Sequence, residues 1–267
     1  MKHTMLAQAQ ELLHDHAAVI VDCRFSLADG DAGRSLFAQG HVPGACYLHL
    51  NEDLSGSVAE HGGRHPLPDP GQFAIALAHC GIGPDTEVIA YDDSRFAFAA
   101  RLWWLMRSLG YREPRLLDGG YQAFLDAGGS PDTAAPQPHV IQVPVVGEFA
   151  GCCDIEGLRD RQAEGALLVD SREEKRYQGV EEPIDPVAGH IPGAINRPWQ
   201  GVSKEAGTAL DNDGQLEHWG DALDASQLVV YCGSGVTACV NLFSLALLGR
   251  EDADLYAGSW SDWCSYL

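Results

Sequence analysis

One stretch of the sequence concentrates residue types that can do chemistry: Tyr231-Cys232-Gly233-Ser234-Gly235-Val236-Thr237-Ala238. An apolar run ends, a cysteine follows at once, and two glycines precede a helical pattern. The glycines permit a tight curve in which successive backbone N–H groups point inward. A helix starting near Thr237 adds the positive end of its dipole. Cys232, at the mouth of such a cradle, is placed to act as a thiolate nucleophile. The N–H groups of Gly233, Gly235, Val236 and Thr237 would hold the anion formed on its sulfur, a persulfide or a tetrahedral oxyanion.

Other readings of the same residues fail on spacing. Gly233-x-Gly235-x-x-Ala238 fits a loose dinucleotide fingerprint, but that motif follows the first strand of a long fold, and Leu267 leaves no room for a second half. A phosphatase loop, Cys-x5-Arg, would need its arginine at Ala238. Cys152 and Cys153 are adjacent, His61 and His65 lie in a glycine-rich loop, and no Cys-x2-Cys occurs, so no metal site is expected. Cys23, Cys46, Cys80, Cys239 and Cys264 read as buried, unreactive thiols.

A nucleophile of this kind needs a strand to end behind it and a helix to begin after it. The chain supplies that arrangement twice. Val21-Asp22-Cys23-Arg24 recurs as Val169-Asp170-Ser171-Arg172, 148 residues on. Gly40-His41-Val42-Pro43-Gly44-Ala45 recurs as Gly189-His190-Ile191-Pro192-Gly193-Ala194, 149 residues on. Val88 to Asp92 matches Leu228 to Cys232 at an offset of 140, and Asp118-Gly119-Gly120-Tyr121 matches Ala257-Gly258-Ser259-Trp260 at 139. The order is kept and the offset drops once, by about nine residues. The first half therefore carries an extra loop between its Gly44 turn and its Tyr91 strand.

These matches predict a first domain over 1–130, a linker over 131–149 rich in proline, glycine and small residues, and a second domain over 150–267. Strands are expected near Val19–Asp22, Cys46–Leu48, Val88–Tyr91 and Arg115–Leu117, then Leu167–Asp170, Ala194–Asn196, Leu228–Tyr231 and Ala253–Tyr256. Helical spacing covers Ala97–Leu109 and Thr237–Leu248. Strand–helix alternation predicts an α/β fold, each domain a parallel sheet flanked by helices. Ligands of such sheets sit beyond the carboxyl ends of the strands.

Composition bounds the function. The 267 residues include 17 Lys and Arg against 38 Asp and Glu, a net charge of −21. That balance argues against nucleic acid or an anionic membrane as partner, since phosphate binding needs a basic face. An anionic substrate would need its own local positive field. Apolar residues make up 45% of the chain, enough for a packed core. No stretch approaches the roughly 18–20 apolar residues of a membrane span, and the start lacks a secretory h-region. A cytoplasmic location with reduced cysteines is expected.

The residues resemble a known family, the tandem-domain rhodaneses of the thiosulfate and 3-mercaptopyruvate sulfurtransferase group. The resemblance rests on both Gly-His-x-Pro-Gly-Ala motifs, on Gly63-Arg64-His65-Pro66-Leu67-Pro68, on Ala100-Arg101-Leu102-Trp103-Trp104, on the Cys232 loop, and on Tyr256-Ala257-Gly258-Ser259-Trp260-Ser261-Asp262-Trp263. It implies two rhodanese-like domains, of which only the second carries the catalytic cysteine. Asp92 stands at the matching position of the first, where no persulfide can form.

The resemblance also implies a reaction and its residues. Mercaptopyruvate-preferring members carry Gly-Ser after the cysteine, as Gly233-Ser234 do here, whereas thiosulfate-preferring members often carry Arg-Lys. Arg176 matches an arginine that holds the substrate carboxylate. A second arginine often follows in a Glu-Pro-Arg stretch; this chain has Glu182-Pro183-Ile184-Asp185, which leaves Arg197 as the candidate second cation. Ser234 and His65 match members of a proton-transfer set, with Asp53 near the place of its aspartate. Arg24 and Arg172 occur in both halves, which favours structural ion pairs. The expected function is sulfane-sulfur transfer from 3-mercaptopyruvate through a Cys232 persulfide to a thiol such as thioredoxin or glutathione, or to cyanide, with no cofactor. The alternatives are a thiosulfate:cyanide sulfurtransferase and a non-enzymatic persulfide carrier.

Overall fold

The computed structural model describes residues 5–14, 17–135, 140–144 and 146–267. The Pro136-Gln137-Pro138 portion of the expected linker lies outside them. The chain divides into two compact units that are not contiguous in sequence. Unit 1 comprises Met1–Gly56, Pro68–Ala150 and Glu205–Ala209, and unit 2 comprises Ser57–Leu67, Gly151–Lys204 and Leu210–Leu267.

Unit 1 is built on β1 (Leu6–Ala7), β2 (Val19–Asp22), β3 (Cys46–Tyr47), β4 (Val88–Tyr91) and β5 (Arg115–Leu117), in the order β1-β5-β4-β2-β3. Its helices are α1 (Ala32–Gln39), α2 (Pro70–His79), α3 (Ala99–Ser108) and α4 (Gly120–Asp126). Unit 2 has β6 (Cys152–Cys153), β7 (Leu167–Asp170), β8 (Ile195–Asn196), β9 (Leu228–Tyr231) and β10 (Asp254–Tyr256), in the equivalent order β6-β10-β9-β7-β8. Its helices are α5 (Ile155–Ala163), α6 (Glu174–Tyr177), α7 (Asn212–Trp219), α8 (Ala238–Leu247) and α9 (Ser259–Trp263). Every strand pair is parallel, as the strand–helix alternation predicts. The edge strands β1 and β6 were not foreseen; two residues are too few to display a period.

The central strand of each sheet, β4 or β9, is buried along its whole length. Its uninterrupted apolar sequence is what a parallel strand covered on both faces requires. Ile155, Leu158, Leu168, Val229, Tyr231, Tyr256 and Trp260 form one core cluster of unit 2. Helix α8 is buried nearly all round, so it cannot shift without opening that unit.

The repeated motifs have repeated structural jobs. Arg172 makes a forked contact to Asp170, with Nη2 2.6 Å from Oδ2, and also donates to the Gly189 carbonyl at 2.6 Å. Arg24 does the same with Asp22 and the Gly40 carbonyl, at 2.6 and 2.7 Å. Both arginines are buried. Bidentate pairs of this kind hold a strand end to the following turn, as the occurrence in both halves predicts. Among the described residues, no helix is long and apolar enough to cross a membrane.

Candidate active site

The loop that leaves β9 turns at once, and its shape is fixed from behind. The Cys232 N–H donates to Ser259 Oγ at 3.1 Å, and its carbonyl accepts the Trp260 N–H at 3.0 Å. The Gly233 carbonyl accepts the Ser261 N–H at 2.9 Å. Three successive residues at the start of α9 thus clamp the loop. Gly235 has φ +76°, and a Cβ there would lie 2.2 Å from the Ala257 carbonyl oxygen. Only glycine meets both demands. Cys232 itself is buried, at 2% exposure.

Thr237 caps α8 by position, with no side-chain hydrogen bond. Among the described residues, the N–H groups of Ser234, Val236 and Thr237 have no protein acceptor outside the helix. They stand in the tight curve that the glycines predict, in front of a helix start.

Unit 1 displays what such a curve accepts. There the matching loop begins with Asp92, whose carboxylate is buried inside the loop's own ring of donors. Oδ1 accepts the N–H groups of Ser94 and Phe96 at 2.8 and 3.1 Å, and Oδ2 those of Phe98 and Ala99 at 2.9 Å each. An anion therefore occupies the cradle of unit 1, and it is part of the chain. Burial nevertheless pushes the Asp92 carboxyl above its ordinary range, against the lowering by those N–H groups.

Positive charge at Cys232 comes from two arginines. A Cβ on Gly233 would lie 3.0 Å from Arg64 Nη2 and 3.5 Å from both terminal nitrogens of Arg176. Both guanidinium groups therefore rest against the residue that follows the cysteine. Arg176 projects from α6 and donates to Glu182 Oε1 at 2.8 Å and to Asp185 Oδ2 at 3.0 Å. Arg64 Nη1 donates to Asp185 Oδ1. Burial pulls the Arg64 guanidinium below its usual value, and the nearby Arg176 charge adds to this, while a charge on the Cys232 sulfur opposes it.

Arg64 belongs to the segment 57–67, which packs into unit 2 although it lies in the first half of the sequence. The segment is pinned to α9 and the turn before it. The Gly62 N–H donates to Asp262 Oδ1 at 2.7 Å, and the Arg64 N–H to Ser261 Oγ at 3.1 Å. Gly63, at φ +79°, has no room for a side chain, since its Cβ would meet the Gly258 carbonyl oxygen at 2.4 Å. One residue on, His65 is buried with Nδ1 2.8 Å from Ser234 Oγ. A nucleophile, a cation pair and a hydroxyl–imidazole pair thus converge on one loop.

A search against family models matches the Rhodanese-like domain twice, at residues 5–127 and 154–266. The chain belongs to the rhodanese family. The sequence is 42% identical over 279 residues to a Pseudomonas aeruginosa protein named "Probable 3-mercaptopyruvate sulfurtransferase", covering 98% of this chain and 96% of that one. It is 40% identical over 256 residues to the Mycobacterium tuberculosis protein "Putative thiosulfate sulfurtransferase SseB", covering 92% and 87%. The solved 3-mercaptopyruvate sulfurtransferase of Leishmania major superposes with a TM-score of 0.85 at 29% identity, over all of this chain and 76% of the other.

Within this rhodanese, the sequence candidates do not all gather at the loop. Cys232, Gly233, Ser234, Gly235, Val236 and Thr237 form it, and Arg176 and His65 reach it. Arg197 does not. Its Nη1 donates to the Asn196 carbonyl at 3.0 Å and its Nη2 to that of Trp219 at 3.4 Å, toward the end of α7. The second guanidinium beside Gly233 is that of Arg64, which sequence reasoning passed over. Its signal was available: a cation beside His65, between glycines and prolines, in the loop by which the first half exceeds the second. Asp53 accepts the His49 N–H at 2.7 Å, within unit 1. Among the described residues, no cluster of three or more His, Cys, Asp or Glu side chains is placed to hold a metal ion.

Proposed function

We propose that the protein transfers sulfane sulfur from 3-mercaptopyruvate, through a persulfide on Cys232, to a thiol such as thioredoxin or glutathione, or to cyanide. The observation that carries this reading is the pair of guanidinium groups resting on Gly233, beside the cysteine. A carboxylate bound there is held by two forks, and the sulfur of the same molecule is directed at Cys232. The positive field that an acidic rhodanese needs for an acidic donor is local.

The Cys232 thiolate attacks the donor sulfur. The new S–S bond forms as the C–S bond breaks, and its electron pair leaves as the enolate of pyruvate. The loop N–H groups of Ser234, Val236 and Thr237 stabilise the anion left on the terminal sulfur. The proton that the donor S–H gives up as the persulfide ionises passes through Ser234 Oγ and His65 to the departing enolate. An acceptor thiolate then takes the terminal sulfur and returns Cys232 to its thiolate. No step calls for a metal or an organic cofactor. We place the reaction in the cytoplasm, where the eight free cysteines stay reduced.

The donor is tested by comparing kcat/KM for 3-mercaptopyruvate and thiosulfate. A higher value for thiosulfate overturns the choice of donor. Cys232→Ser removes transfer from either donor and leaves thermal unfolding unchanged. Retained turnover in that variant removes the assignment of Cys232. Intact-mass spectra after donor treatment show one added sulfur on the native protein. An added sulfur without turnover makes the protein a persulfide carrier.

A further inference from the structure

Asp185 follows Ile184, the residue that the resemblance sets against the arginine of a Glu-Pro-Arg stretch. It does not leave the two arginines at Cys232 as independent charges. Its Oδ1 accepts from Arg64 and its Oδ2 from Arg176, and its side chain is 1% exposed. The turn that presents it is held by Glu182, whose Oε1 accepts the N–H groups of Ile184 and Asp185 at 3.1 and 3.0 Å. Glu182 in turn bridges Arg176 and Arg172, and Arg172 is paired to Asp170. Three arginines, 64, 172 and 176, are therefore balanced by three carboxylates, 170, 182 and 185.

We propose that Asp185 is a specificity-determining residue: by bridging Arg64 and Arg176 it lowers the positive charge that they present beside Cys232, so that the site discriminates against a doubly charged donor relative to a singly charged one. The proposal rests on the sulfur-transfer reading for its donors, but not for the field itself. A carboxylate locked between two guanidiniums also fixes the distance between them. The two forks then match one carboxylate, and the surplus charge that a thiosulfate dianion would exploit is removed. Gly233-Ser234, without the Arg-Lys of thiosulfate-type loops, acts in the same direction. The side-chain partners of Asp185 are the two arginines, and it acts through them.

The field is read first without catalysis. Cys232 is alkylated with anionic iodoacetate and with neutral iodoacetamide, and the rates at that one residue are followed by peptide mass spectrometry. Asp185→Asn keeps the shape of the side chain and deletes its charge. It raises the iodoacetate-to-iodoacetamide rate ratio about five- to tenfold, the scale of one unit charge near the site after screening. The ratio of kcat/KM for thiosulfate to that for 3-mercaptopyruvate rises in parallel, by about tenfold, because the dianion gains twice from the same field. Asp185→Glu, which keeps the charge, leaves the alkylation ratio near its original value.

If the loss of its carboxylate partner by Arg64 prevents Asp185→Asn from folding, Arg64→Gln is compared with Arg64→Gln/Asp185→Asn. That pair differs by the same one charge and is expected to show the same rise. An unchanged alkylation ratio in either comparison overturns the proposal. So does a raised alkylation ratio with an unchanged donor ratio, which would leave donor choice independent of Asp185. A protein that uses neither donor but shows the rise in alkylation ratio refutes the sulfur-transfer reading and retains the field.

Discussion

Replacing Arg64 by alanine removes one of the two forks at Gly233 while leaving Arg176 and the loop N–H groups in place. A charged hydrogen bond of this kind contributes about 1.5–3 kcal/mol, so KM for 3-mercaptopyruvate should rise about ten- to a hundredfold. The rate of alkylation of Cys232 by neutral iodoacetamide tests whether the thiol itself is still accessible. An unchanged KM in steady-state kinetics would show that Arg64 holds no part of the donor. Arg197→Ala is the control, since the terminal nitrogens of that side chain donate to the carbonyls of Asn196 and Trp219. Its KM should stay within about twofold of the native value, as expected for residues outside a contact network.

At the scale of elements, α7 carries a titration that stability measurements can read. His218 lies against Gly201, whose Cβ would fall 2.4 Å from Nδ1. Burial, with the charge of Arg197 nearby, pushes its imidazole down to about 4 from 6.5. The native protein refuses a proton that the unfolded chain accepts, so stability is full above pH 6.5 and falls as pH drops toward 4. The loss is about 2–3 kcal/mol from this group alone. Urea unfolding at pH 7 and pH 5 should show it, and His218→Gln should flatten the difference. An equal slope in that variant would place the effect elsewhere.

Elements also explain what the sequence made legible. Four apolar residues before Cys232, two glycines after it and a helical pattern beyond are local features, and local periodicity reports them. Four of the five strands in each sheet were expected, because the two halves repeat the same pattern. Arg64 and Asp185 are 121 positions apart, and His65 and Ser234 are 169 apart. No spacing rule connects such partners; only the packing of segment 57–67 onto α9 does. Arg197 follows the strand end at Asn196, and spacing alone does not say which way its side chain turns.

At the scale of the whole molecule, the two units share a topology and divide its uses. Unit 1 fills its cradle with Asp92, and the loop around it holds left-handed Arg95 and Phe96, at φ +58° and +71°. By the repeat offset, the place of Arg176 is taken there by Ala28, so no guanidinium is supplied from that position. Putting a thiol in unit 1 should therefore create no second site. In a Cys232→Ser background, Asp92→Cys should restore no turnover, since the four N–H groups lose their anion and no cation pair replaces it. The unfolding temperature of that variant should fall, because each buried N–H left without an acceptor costs about 1–3 kcal/mol. Recovered sulfur transfer would show that the cradle alone suffices.

The way segment 57–67 is pinned also sets an order of events during synthesis. Gly62 and its partner Asp262 are 200 positions apart, and His61 and Ser265 are 204 apart. At about 5–20 residues per second, the segment leaves the ribosome roughly 10–40 s before the residues that hold it. Through that interval the segment lacks the α9 partners that pin it, however early the β-sheet around Asp22 and Tyr91 closes. Cys232 likewise emerges before the start of α9 that clamps its loop. A nascent chain released before residue 258 would carry the thiol without the clamp on its loop. The clamped form of the loop is thus withheld until α9 has been made.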